Sequence, residues 1–409
     1  MIDSSGETPV VSAFLSKLER VGQRVAELDA ARRLLQQAQV RETLTRTELT
    51  QALTQALAAR SDAEALARRR AAEAFLSRAP RNGRTPRRGR LRRRREQALA
   101  RLGPLGQALV IAASGVWRPS GGGFRARLHD LRHMAAYARR GAAPEVAPPA
   151  LFDQAWYLEQ GRDLAGSRIS PLAHYLLAGA AEGRAPTPLL DPAWYHRENA
   201  GDLAATGLSP LEHFVRLGAA RGRAPHPLFD IGYYAAQADD LASSGLNPLE
   251  HYLQLGWRRD LSPHPLFDAR WYRRQVPRAE ADRAPLVHYL TRGWRSGLKP
   301  HPLFDPAWYL EQHPDIAASG AEPLSHFVFA GAREGRNPSP WFETAAYAAA
   351  RGETLPAGAN PLIDYLQGGA WRVGEARPGF PTAAYLAARP ELAAEGLTPL
   401  EHWARLAAG

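Results

Sequence analysis

Apolar positions recur along this chain on two scales. Near the amino terminus Phe14, Leu18, Val21, Val25, Leu28 and Leu35 fall three and four residues apart, with Arg32 the one polar member of the seam. That spacing covers about three heptads and predicts a long helix that pairs with another along the seam. The seam then slips, and Leu49, Leu53 and Leu57 recur every four residues. A single amphipathic helix folded back on its own chain is the alternative. No proline falls between Pro9 and Pro80, and Ala, Leu, Arg, Glu and Gln dominate, all good helix formers.

The second scale is longer. The triplets "LFD" at 151, "LLD" at 189, "LFD" at 228, 266 and 303 and "WFE" at 341 open near-copies of one phrase, and a degenerate seventh begins near "GFP" at 379. Their acids Asp153, Asp191, Asp230, Asp268, Asp305 and Glu343 are spaced by 37 to 39 residues, and His174, His213, His251, His288, His326, Asp364 and His402 keep the same period. A fixed period of this size predicts an α-helical solenoid, because one such unit cannot bury its own apolar face.

Each unit carries two helix starts. In "FDPAWYL" Asp305 is an N-cap candidate with Pro306 at the first helical position. In "SPLEH" Ser209 caps, Pro210 follows, and Glu212 can close a capping box; "NPLEH" at Asn247 and "TPLEH" at Thr398 repeat that logic. "HPDIAASG" (His313 to Gly320) suggests a short middle helix. Gly179, Gly218, Gly256, Gly293, Gly331 and Gly369, five residues past the His/Asp position, predict a tight helix end or close packing. "MAAYARRGA" (Met134 to Ala142) resembles the helix containing His174 and reads as a degenerate amino-terminal cap.

The expected fold class is therefore all-α. Residues 1–79 form a helical or coiled-coil segment, 80–101 an Arg-rich linker or arm, 102–150 a linker and capping repeat, and 151–409 seven helical repeats.

Charge changes the picture at one place. The net charge of +11 resides mostly in Arg81, Arg84, Arg87, Arg88, Arg90, Arg92, Arg93, Arg94 and Arg95. These nine arginines form a self-repelling run that is either a solvated linker or a contact for anionic lipid, acidic polysaccharide or nucleic acid. The absence of interleaved aromatics argues against base stacking. There are no cysteines, which excludes disulfides, thiolate metal sites and cysteine nucleophiles. The start shows no basic region followed by an apolar core, and the best apolar run, Leu105 to Trp117, has 13 residues, short of the ~20 that a membrane span needs. A cytoplasmic protein, peripheral to the inner membrane at most, is the expectation.

The repeated residues offer tempting chemistry, and each has a structural reading beside it. One histidine per unit could ligate metal, but stacked copies supply no second ligand at helical spacing, so capping or packing is expected and no metal or cofactor is assigned. Trp156, Trp194, Trp271 and Trp308, each followed by a tyrosine, could stack on sugar rings; core packing of at least one ring of each pair is the structural reading. Arg184, Arg223 and Arg336 could line an anion-binding face, or bond between repeats. No phosphate-cradling loop, nucleophile elbow or metalloprotease helix occurs, so no catalytic residue is assigned.

The phrase "PLFDPAWYLEQHPDIAASGAEPLSHFVFAGAREGRNPSP" resembles tandem units found in bacterial polypeptides with glycosyltransferase domains for surface polysaccharides. The resemblance covers Leu151 to Gly409. It implies an accessory role near cell-envelope polysaccharide synthesis. Neither a glycosyltransferase domain nor an Asp-x-Asp sugar-nucleotide site is visible here. The expected function is a non-catalytic scaffold for proteins or glycan chains, homo-oligomeric through its first helix. Alternatives are a carbohydrate-binding module, a glycosyltransferase with an unrecognised site, and a binder of nucleic acid or anionic surfaces.

Overall fold

The computed structural model describes residues 103–121, 124–141, 148–161, 164, 167–372 and 377–408. The heptad seam and the arginine run lie outside the described residues. Among the described residues the regular elements are helices, and extended pairing is limited to isolated bridges such as that between His264 and Phe267.

Two helices come first, α1 (Pro104–Ser114) and α2 (Phe124–Arg139). They pack on each other, and α1 touches the last helix of the first repeat. The Tyr137 hydroxyl on α2 accepts the N–H of Leu172 at 3.2 Å. Tyr252 accepts from Leu286 N–H and Tyr365 from Leu400 N–H in the same way, at 3.2 and 3.0 Å. Tyr137 near the end of α2 thus makes the bond that Tyr252 and Tyr365 make from the closing helices of their repeats.

The fifth repeat illustrates the unit. An opening helix (Pro306–Gln312) leads to a middle helix (Pro314–Ser319) and a closing helix (Pro323–His326) that runs into a π-helical turn (Phe327–Gly331). Asp305 accepts the N–H of Trp308 at 3.1 Å, as Asp153, Asp191, Asp230 and Asp268 do in their own repeats. Such caps satisfy donors that the first helical turn otherwise leaves unpaired. Glu343 occupies the equivalent position without a side-chain cap. Ser209 with Glu212 and Asn247 with Glu250 form complete capping boxes on closing helices.

Repeats are tied together by backbone as well as by core. The N–H of Asp230 donates to the carbonyl of Pro263 at 2.9 Å, and Asp268 and Asp305 donate to Pro300 and Pro338 in the same way. A proline lacks an N–H but keeps its acceptor, so the "PxPLFD" phrase can supply this joint. Leu266, Phe267, Tyr272, Leu286 and Tyr289 are fully buried, with Tyr272 edge-on to Tyr289 at 5.7 Å between ring centres. One continuous apolar core runs from Ala108 to Ala404.

The array also meets itself. Trp194 lies edge-on to Phe329 at 5.8 Å, and the Arg405 guanidinium stands 5.5 Å from the ring centre of Trp271 while pairing with Asp268. Repeats stacked in a straight file would not make these contacts, so the units coil until they pass over one another.

Candidate functional site

The repeated histidines face tyrosines. Tyr157 bonds His174 Nδ1 at 2.8 Å, Tyr195 bonds His213 at 2.7 Å, Tyr234 bonds His251 at 2.7 Å, and Tyr272 bonds His288 at 2.6 Å. Tyr309 with His326 and Tyr385 with His402 complete the series at 2.9 and 2.7 Å. On the far side of the ring, His251 Nε2 lies 3.2 Å from Asp240 and His288 Nε2 lies 2.6 Å from Glu280. With Nε2–H donating to the acid, Nδ1 accepts the tyrosine O–H.

Carboxylates also approach three of these histidines, Asp202 lying 4.0 Å from His213 Nε2, though none stands at the helical spacing that a metal pair on one helix would need. They come from the middle segment, 11 and 8 positions upstream, rather than from the same helix. The Tyr–His–acid order is that of a proton relay, but Tyr234 and Tyr272 have no exposed surface and burial pushes their phenols up. No substrate atom can reach the hydroxyl. These are structural joints.

The conserved spacing of the glycines follows from the same joint. A Cβ at Gly179, Gly218, Gly256, Gly293, Gly331 or Gly369 would stand well inside 3.0 Å of the hydroxyl of the paired tyrosine. The need is close approach, not a helix end. In the sixth repeat Asp364 replaces histidine, accepts from the Tyr347 hydroxyl at 2.6 Å, and pairs with buried Arg351 at 2.8 Å.

Within each Trp-Tyr pair the tyrosine is the core ring, because Tyr157, Tyr195, Tyr272 and Tyr309 are fully buried. Trp156, Trp194, Trp271 and Trp308 are half-buried. The first three turn the same edge inward, each with a buried Nε1 that has no hydrogen-bond partner. The coil above faces these rings with the position three residues beyond the His/Asp of its closing helix. Trp194 meets Phe329 and Trp271 meets Arg405. Trp156 and Thr291 line one cleft, and Tyr233 and Gln367 line another. In all four pairs the partner lies 134 or 135 positions further along the chain. The large Phe329 and Arg405 close their seams. A cleft of about 390 Å³ adjoins the smaller Thr291, and one of about 520 Å³, lined also by Arg405, adjoins Gln367.

Arg184, Arg223 and Arg336 are ion-paired rather than displayed as an anion-binding face. Arg184 pairs with Glu182 at 2.8 Å, Arg223 with Asp202 at 3.4 Å, and Arg336 with Asp315 at 2.9 Å and Glu334 at 2.6 Å. Every one of these acids belongs to the same repeat as its arginine, so the expected bonding between repeats is replaced by bonding within them. Hydrogen bonds from Arg336 hold the Asp315 carboxyl down to about 2.

A second histidine series escaped sequence reasoning. His226, His264 and His301, in "PHPLFD", are buried, and each Nδ1 accepts the N–H two residues on at 3.1 Å. Burial drives His226 and His264 down to about 4. The signal was present: Thr187 and Ser339 occupy the same position in other repeats and accept the same N–H, so the site calls for any short acceptor.

No group of side chains among the described residues is arranged to hold a metal ion. No protein-family model matches this chain, and neither a curated protein nor a solved structure does.

Proposed function

We propose that this chain is a non-catalytic helical-repeat scaffold that presents its coiled solenoid to glycan chains or protein partners. What supports this reading is that the repeated tyrosine, histidine and acid side chains are consumed in joints whose hydroxyls are buried. By resemblance of the repeat phrase, its setting is cell-envelope polysaccharide synthesis in a bacterium. The first helix would oligomerise the scaffold through the Phe14–Leu35 seam, and Arg81 to Arg95 would contact an acidic surface such as anionic lipid or nucleic acid. No helix among the described residues is long and apolar enough to cross a membrane; a cytoplasmic place at the inner membrane surface is part of the proposal. Purified full-length chain incubated with UDP-glucose, UDP-N-acetylglucosamine and GDP-mannose should release no nucleotide. Turnover abolished by a single substitution would overturn the scaffold reading in favour of a transferase.

A second reading, carbohydrate binding, is favoured by the cleft at Trp156. There an indole is left uncovered while its counterparts at Trp194 and Trp271 are closed from above.

A further inference from the structure

We infer that the cleft between Trp156 and Thr291 is a binding site for one pyranose ring of a glycan. The inference deepens the carbohydrate-binding reading and is independent of whether the chain oligomerises.

The cleft exists because one side chain is small. Along the seam, the position facing the tryptophan holds Phe329 above Trp194 and Arg405 above Trp271. Above Trp156 it holds Thr291, whose hydroxyl is turned back onto the Val287 carbonyl at 2.7 Å. The void is about 390 Å³, within the range of small-ligand sites. A phenyl ring fills the corresponding place one repeat further along, so the gap over this indole is ring-sized.

The rim chooses between ring chemistries. The filled seam at Trp194 carries two cations over the Phe329 ring, Arg197 at 4.0 Å and Arg333 at 5.6 Å from its centre, and no acid among the ring contacts. The open cleft carries both signs: the acids Asp153, Glu159 and Asp282 and the cations Arg258, Arg283 and Arg292 line it, with Glu159, Asp282 and Arg283 exposed at its edge. An apolar aromatic guest would offer those charged groups no partner. A pyranose presents C–H bonds on one face, which pack on an indole, and hydroxyls around its perimeter. Carboxylates accept from those hydroxyls and a guanidinium donates to them. An apolar floor with convergent polar groups at the rim is the composition such a ring requires.

The test uses the full-length chain, with saturation-transfer NMR against cellohexaose and chitohexaose, and acetyl-phenylalanine amide as the aromatic competitor class. We expect saturation transfer to at least one oligosaccharide. Thr291→Phe, which copies the residue at 329, should weaken it at least tenfold while leaving the thermal midpoint unchanged or raised. Trp194→Ala should leave binding intact, because that ring is already covered. The inference is overturned if neither oligosaccharide receives saturation, if Thr291→Phe binds as well as the parent, or if only the phenylalanine amide binds. The last result would mean that a partner protein's aromatic side chain is the guest. Failure in any of these ways leaves the sugar-nucleotide turnover test of the scaffold reading untouched.

Discussion

Gly218→Ala probes the joint on which every repeat depends. The added methyl would fall well inside 3.0 Å of the Tyr195 hydroxyl, an atom held by a 2.7 Å bond to His213 in a ring with no exposed surface. Either the hydroxyl leaves its partner, costing about 1–3 kcal/mol as a buried unsatisfied group, or the helix shifts, at about 1–3 kcal/mol for overpacking. By either route we expect a loss of about 1–3 kcal/mol, read as a lower urea midpoint by circular dichroism. Tyr195→Phe alone should cost about 1–3 kcal/mol, because His213 Nδ1 loses its donor. Once the hydroxyl is gone, the nearest atoms to the new methyl are the ring carbon Cζ at 3.4 Å and His213 Nδ1 at 3.5 Å, both ordinary contacts. The double substitution should therefore be more stable than the two singles imply, with a coupling of at least about 1 kcal/mol. Costs that add to within about 0.5 kcal/mol would refute the steric account of the glycine.

Other outcomes follow from the same geometry. Trp194→Ala should cost about 2–3 kcal/mol, combining a half-buried indole with its edge-on contact to Phe329, and a double-mutant cycle with Phe329→Ala should show a coupling of at least about 0.5 kcal/mol; additive losses would contradict the pairing. His226 and His264 titrate in the unfolded chain near 6.5 and in the folded chain at about 4, so the unfolded state takes up protons first as pH falls. Stability is full above pH 6.5 and drains between there and pH 4 at about 1.4 kcal/mol per pH unit per histidine, so urea midpoints at pH 7.5 and 5 must differ. His264→Thr, borrowing the acceptor used at Thr187, should flatten that slope. Asp364→His restores the residue common to the other repeats yet should lower the thermal midpoint, because buried Arg351 loses its carboxylate. Light scattering should show a dimer or trimer for the full chain and a monomer for one starting at Gly103; monomers in both cases would refute association through the Phe14–Leu35 seam.

Much of the unit was legible because its signals are local. Asp305 before Pro306 and Ser209 before Pro210-Leu211-Glu212 announce helix starts whose capping bonds depend on residues two or three positions away. The period and the middle helix at Pro314–Ser319 were readable for the same reason. The partners of Trp156 and Trp194 were not. Nothing in a 38-residue phrase says how far the stack rotates per unit, and that rotation alone decides that Thr291 and Phe329 stand over them. The acids at His251 and His288 were missed because the fold brings them from a different segment. The role of the glycines was half-read: close packing was expected, but the tyrosine hydroxyl that demands it lies more than twenty residues upstream.

The offset of 134 or 135 positions between seam partners also bears on how such a gene can change length. Arrays joined only to their neighbours can gain or lose a module with little penalty, since every remaining junction is unaltered. Here, excising residues 228–265 would leave each junction of the same kind yet bring Phe329 over Trp156 and Gln367 over Trp194. One opening would be stoppered and another created a repeat away. Recombination between these near-identical segments would therefore reassign which grooves are open, so selection acting on a groove would also act on the count of modules beyond it.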